Sequence, residues 1–236
     1  MSNFAALPRV CAIVAAAGIV LSGCTQSIGG TAVKGPGPAG SNVPPLAESG
    51  LDQILLSIDD VGSIVGSSDL QLSSSSEDLV DNSDSIDKSE CLGVFYSAEQ
   101  KIYDKSGWKA VRDQIIREPG DAKKHWVEQT VVLFANADKA ANFLDKSRDE
   151  WKKCQQSSAT TEGSDTSYNW DFGRLQESSE TMMSMDMDQQ DSNNWACQHA
   201  MGTVSNVIVE GIACANGVAD EGRQVVEQIV KNANAK

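Results

Sequence analysis

The sequence predicts an α+β domain, a single twisted antiparallel sheet with packed helices, held by two disulfides. Three observations point there. Strand-like segments occupy residues 126–134, 166–175, 180–189 and 195–215, most of them in the second half. Helical stripes occupy 51–65, 137–151 and 221–230, between and after them. Four cysteines are spread through the same region. Strands close together in sequence, with helices segregated around them, favour an antiparallel sheet covered by helices.

Taken in order, residues 51–65 place Leu51, Ile54, Leu55, Ile58 and Val61 on one helical face, with Gly62 and Gly66 to end or break it. Residues 67–90 are serine-rich and acidic and read as a solvated mobile loop. Residues 97–104 read as a short helix capped by Ser97. Residues 108–116 suit either a strand or a helix. Residues 126–134 alternate and are β-branched, hence a strand. Asn136 caps a helix with an inner stripe of Ala137, Ala140, Ala141, Leu144, Arg148 and Trp151. Two strands follow, then two apolar runs around Ser205-Asn206. Asp220 caps a terminal helix with Val225, Val226, Ile229 and Val230 on one face.

The N-terminus sets the compartment. The apolar run from Val10 to Leu21 has twelve residues, whereas a membrane span needs about 20. It suits the h-region of a signal peptide, and Leu21-Ser22-Gly23-Cys24 after it forms a lipobox. Cleavage before Cys24 would put a diacylglycerol on its sulfur and hold the chain on the outer face of the cell membrane. The expected organisation is a lipoprotein signal peptide over 1–23, a Gly/Pro/Ser-rich tether over 24–47 and a folded domain over 48–236. Gly35, Gly37 and Gly40 have the spacing of a dinucleotide fingerprint, but prolines replace the flanking strand and helix that it needs. The net charge of -14 repels phosphate backbones, which excludes nucleic acid as a partner.

With Cys11 removed in the signal and Cys24 acylated, Cys91, Cys154, Cys197 and Cys214 remain. An even number in an exported chain implies disulfides. If Ser205-Asn206 is a two-residue hairpin loop, counting outward sets Cys197 opposite Cys214, close enough for a bridge where the pair is not hydrogen-bonded. Cys91 is then left with Cys154.

The order of landmarks is informative. Cys91-Leu92-Gly93 is followed by Tyr103, Ser106-Gly107-Trp108 and Glu118-Pro119, then by Val131-Val132-Leu133-Phe134. Trp151-Lys152-Lys153-Cys154, Trp195-Ala196-Cys197-Gln198 and the 206–214 strand complete it. From about Leu46 to the C-terminus the chain resembles the PknH-like extracellular sensor domain, found on a mycobacterial transmembrane kinase and on lipoproteins of the mycobacterial cell envelope. The resemblance implies an α+β unit with an antiparallel sheet, the same two disulfides, and a large cleft for an undefined ligand. It carries no catalytic residues. A signal sensed by a lipid-anchored domain must pass to another protein.

Several motifs are weighed for chemistry. No G-x-S-x-G elbow, H-E-x-x-H pair or P-loop is present, and no carboxylate pair stands out. His125 reads as a strand-edge surface residue, and His199 lies two residues from a disulfide cysteine. Asp81, Ser83, Ser85 and Asp87 alternate as in a calcium loop, but Ile86 and Leu92 stand where Gly and Glu belong. Met183, Met185 and Met187 alternate with Ser184, Asp186 and Asp188; thioethers suit soft metals, yet inward-facing core methionines are the simpler reading. Tyr168, Trp170 and Phe172 share a strand face and are core candidates; if that face opens into the cleft, they line an apolar site with Arg174 and Gln198 as polar contacts. The expectation is therefore a non-enzymatic sensing domain for a small or amphiphilic envelope ligand, without cofactor. The alternatives are a module docking an envelope or membrane protein and an envelope hydrolase.

Overall fold

In the computed structural model, which describes residues 43–120, 124–163 and 166–236, the runs flanking Ser205-Asn206 pair as the expected hairpin. Signal peptide, Cys24 and residues 25–42 of the tether lie outside the described residues. The hairpin strands, β8 (Trp195–Val204) and β9 (Val207–Asn216), sit mid-sheet. The other strands are β1 (Gln71–Ser76), β2 (Trp108–Arg117), β3 (His125–Phe134), β4 (Ser158–Glu162), β5 (Ser167–Phe172), β6 (Gln176–Ser179) and β7 (Met182–Gln189). Their order is β1-β2-β3-β9-β8-β7-β5-β4, with β6 also beside β7, and every ladder is antiparallel. The helices are α1 (Ile58–Val65), α2 (Leu92–Phe95), α3 (Gln100–Tyr103), α4 (Ala137–Cys154) and α5 (Glu221–Asn234).

Alternation along the central strands lets one sheet serve two cores. One face carries Val111, Val132, Ile208, Met201, Met183 and Met185 and packs with α2, α3 and α4. The other carries Ile116, Val127, Val131, Val209 and Ala200 and packs with α1 and α5. The fit of α5 is close: a Cβ on Gly222 would sit 2.2 Å from the Gln198 carbonyl oxygen. Both disulfides form as expected, with Cα separations of 5.3 Å for Cys91–Cys154 and 4.0 Å for Cys197–Cys214. Cys197 lies directly opposite Cys214.

Four local expectations are corrected. The first helix starts at Ile58, not near Leu51. The Leu56 N–H donates to Gln129 Oε1 (2.8 Å) and its carbonyl accepts from Gln129 Nε2 (3.0 Å), so a β3 side chain takes the groups a helix would use. A Ser57–Asp60 capping box then starts α1. The acidic stretch is not wholly loop, since its serines form edge strand β1 on β2. Glu99, not Ser97, caps α3, accepting from the Lys101 N–H. On α4 the buried stripe is Ala140, Phe143, Leu144, Ser147, Trp151 and Cys154. Residues 108–116 are strand, and Val43 and Leu46, at the end of the expected tether, pack against the α5-side core.

Candidate functional site

Helix α4 runs across its face of the sheet from Phe134, where Phe143 packs at 5.4 Å between ring centroids, to His199, where Trp151 packs at 4.7 Å. The next row across the sheet, Trp126, Cys214, Cys197 and Met187, lines a cleft of about 890 Å³. Phe95, Tyr96, Tyr168, Trp170 and Trp195 add further aromatic lining. The Cys197–Cys214 bridge is therefore part of the lining as well as a hairpin staple. From the acidic stretch, Val80 and Asn82 reach the cleft. The 80–82 segment is held by Val80 N–H to the Ala98 carbonyl (3.0 Å) and Asn82 N–H to Glu99 Oε2 (2.9 Å).

Sheet register places three carboxyl groups on this face. Asp113 on β2 pairs with Thr130 on β3, which pairs with Glu210 on β9; Glu128 is one step along, opposite Ile115 and Ile212. Asp113 and Glu128 line the cleft, and Glu128 is hydrogen-bonded to Asp113 and Ser97. Burial pushes the Glu128 carboxyl well above its usual range, and the Asp113 charge adds to this. Burial likewise raises Asp113, although its hydrogen bonds with Thr130 and Glu128 offset part of the effect. Two carboxyl groups can be hydrogen-bonded to each other only through a proton, so the pair holds one proton between them.

Behind it, Glu210 Oε1 accepts from the Tyr103 hydroxyl (2.7 Å) and the Ala98 N–H (3.3 Å). His199 Nδ1 faces the Val94 carbonyl (2.8 Å), which can only accept, so Nδ1 carries a hydrogen. Nε2 lies 3.2 Å from Glu210 Oε2, in ion-pair range but outside hydrogen-bond geometry. At the cleft mouth, Glu118 Oε1 meets His125 Nδ1 at 2.6 Å and Ser67 Oγ at 2.9 Å, and Oε2 accepts the His125 N–H at 2.8 Å. Burial raises Glu118, but the His125 and Ser67 hydrogen bonds win and bring it down to about 2.

The expected cleft residues divide. Tyr168 and Trp170 line it, with the Trp170 Nε1–H donating to Thr161 Oγ1 at 3.0 Å. Phe172 shares their face but is buried in the core beside Met187. Arg174 lies past the end of β5 and does not line the cleft. Gln198 does not either: Cys197 and His199 face the cleft side, so alternation turns Gln198 to α5. There it donates to the Ala219 carbonyl (2.7 Å) and accepts the Arg223 N–H (3.0 Å). His125 is not a plain surface residue, being tied to Glu118. Met183, Met185 and Met187 are fully buried, Met187 at the cleft's inner edge. Asp81 and Asp87 spend their oxygens on Ser83 and Thr160 N–H groups. Among the described residues no group of three or more His, Cys, Asp or Glu is placed to hold a metal, and no helix is long and apolar enough to cross a membrane.

The residues missed in the sequence are Asp113, Glu128 and Glu210. A signal existed for the last, as Glu210 is the single charge in the apolar run 207–215.

Residues 46–232 match the family described as PknH-like extracellular domain. The chain is 32% identical over 190 residues to the serine/threonine-protein kinases PknH of Mycobacterium bovis and Mycobacterium tuberculosis. That alignment covers 80% of this chain and 32% and 30% of the kinases, so the chain spans about a third of their length. Among solved structures, the extracellular domain of PknH from Mycobacterium tuberculosis superposes with a TM-score of 0.78 at 31% identity, covering 82% of this chain and 99% of that one.

Proposed function

The chain belongs to the PknH-like extracellular domain family, and from that premise we propose that it is an exported sensing domain whose cleft binds a small or amphiphilic envelope molecule. The observation that carries this is the cleft itself: about 890 Å³, walled by aromatic side chains, with a few polar groups converging on it. Small-molecule sites have that volume and that lining. The solved relative is the extracellular portion of a kinase, so the shared part is the part named for the outside of the cell. The two disulfides suit an oxidising compartment.

We extend the reading to a lipid anchor on Cys24, supported by the lipobox alone. The anchored domain would act through a membrane or envelope protein partner. Catalysis is not assigned. A glycoside hydrolase separates its carboxyl groups by roughly 5–9.5 Å around the scissile bond, whereas Asp113 and Glu128 are bonded to each other.

Native mass spectrometry of the chain purified from its own envelope tests the proposal. A retained small molecule, lost on mutating Trp170, is the expected result. A clean ligand-free mass together with a co-purifying protein would replace the binding reading by the docking module. Intact mass after detergent extraction tests the anchor: acylated Cys24 supports it, and an uncut Met1 overturns it.

A further inference from the structure

The ligand class follows from an imbalance of charge inside the cleft. Asp113 is 6% exposed and forms part of the lining with Glu128. Their hydrogen bonds go to each other and to the Thr130 and Ser97 hydroxyls, and none to a basic side chain among the described residues. Glu210 from β9 adds a third carboxyl and is engaged by His199 of β8 and Tyr103 of α3. Just past the end of α2, Tyr96 contributes only a neutral phenol, whose pKa burial raises further. At the mouth, Arg117 donates to Ser73 Oγ (2.9 Å), and His125 is paired with Glu118. Acids thus outweigh bases around the cavity, and the carboxyl pair keeps a negative charge that no basic side chain among the described residues is bonded to. A buried charge without a partner is costly.

The second observation is independent of the acids. The walls are aromatic: Tyr96, Trp126, Tyr168, Trp170 and Trp195 line the same cavity as the pair. Ring faces attract cations and reject anions. The strongly acidic surface draws the same kind of molecule by long-range steering.

We propose that the cleft recognises an organic cation, a protonated amine or quaternary ammonium on an apolar body, with its head at Asp113 and Glu128 and its body between the aromatic walls. This rests on the cleft being the binding site. The ammonium takes the place of the proton shared by Asp113 and Glu128, so binding releases a proton and weakens as pH falls.

Three probes of one shape separate the outcomes: 4-phenylbutylamine, 4-phenylbutanol and 4-phenylbutyrate. Each is titrated into the whole chain in neutral detergent, with tryptophan fluorescence and calorimetry as readouts. The amine is expected to bind at least about tenfold more tightly than the other two at pH 8. Its advantage shrinks at pH 5, and calorimetry in buffers of different ionisation enthalpy reports proton release. Glu128→Gln, checked for folding by its melting transition, brings amine affinity at pH 8 towards that of the alcohol. Equal binding of amine and alcohol, or tighter binding of the butyrate, overturns the cation and leaves the cleft standing. Failure of all three to bind overturns the cleft reading too.

Discussion

Replacing Gln129 by methionine tests how β3 organises the segment before α1. The side chain is fully buried and both ends of its carboxamide are used. Its Oε1 accepts the Leu56 N–H at 2.8 Å, and its Nε2 donates to the Leu56 carbonyl and to Gln114 Oε1, both at 3.0 Å. Methionine keeps the volume and removes both ends. Gln114, only half-buried, can turn to water, but Leu56 is 4% exposed and its two backbone groups are stranded. At about 1–3 kcal/mol for each of the two stranded buried groups, the loss should be about 2–6 kcal/mol. Urea denaturation gives the stability change, and amide exchange at Leu56 gives its local origin. The Leu56 amide should become the most accelerated in the 51–57 segment. A stability change under about 0.5 kcal/mol, with Leu56 still protected, would refute the clasp.

Three more outcomes are expected. Breaking Cys91–Cys154, with a sequence separation of 63, should cost about 4 kcal/mol, and breaking Cys197–Cys214, with a separation of 17, about 3; denaturation of the two double-alanine variants ranks them. Stability should peak at mildly acid pH. Glu118, lowered from 4.5 to about 2, contributes stability that is present above pH 4.5 and lost as pH falls towards 2. Glu128 is raised, so its contribution is full below the ordinary carboxyl range and is lost as pH rises through its folded value; Glu128→Gln should flatten the alkaline side of a melting-temperature profile. Gly222→Ala drives a methyl against the Gln198 carbonyl and should cost about 1–3 kcal/mol by thermal melting, whereas Gly217→Ala meets no atom within 4 Å and is strained only by its positive φ.

Short-range pattern made much of this fold legible. The hairpin and its bridge follow from counting outward from Ser205-Asn206, because strand pairing repeats every residue. The caps at Asn136 and Ser57 follow from local chemistry, although only Asn136 was identified as one in the sequence. What escaped was set by long-range partners. Leu56 leaves the helix because of a glutamine 73 residues away, a contact that periodicity cannot register. The serines of 71–76 look like a loop, having no apolar alternation, yet β2 offers them a ladder. The site shows the same division. Tyr168 and Trp170 were found because aromatic alternation is visible locally. Asp113, Glu128 and Glu210 come from three strands, and only the register of β2 on β3 on β9 makes them neighbours. Gln198 was misplaced for want of one parity argument: its neighbour Cys197 must face Cys214.

The entry point of the chain also has a consequence. Leu46 is clasped by Asn206, accepting from its Nδ2 at 3.1 Å and donating to its Oδ1 at 2.7 Å, at the turn between β8 and β9. The cleft lies at the other end of those ten-residue strands, beside Trp195 and Cys214. At about 3.3 Å per residue, roughly 30 Å of sheet separates the two ends. Under the proposed Cys24 anchor, the chain would enter the domain at the end of the sheet opposite the cleft. An anchored molecule of that kind would sample the space beyond the bilayer rather than the leaflet beneath it, and a partner reading the cleft would have to reach the far end of the sheet.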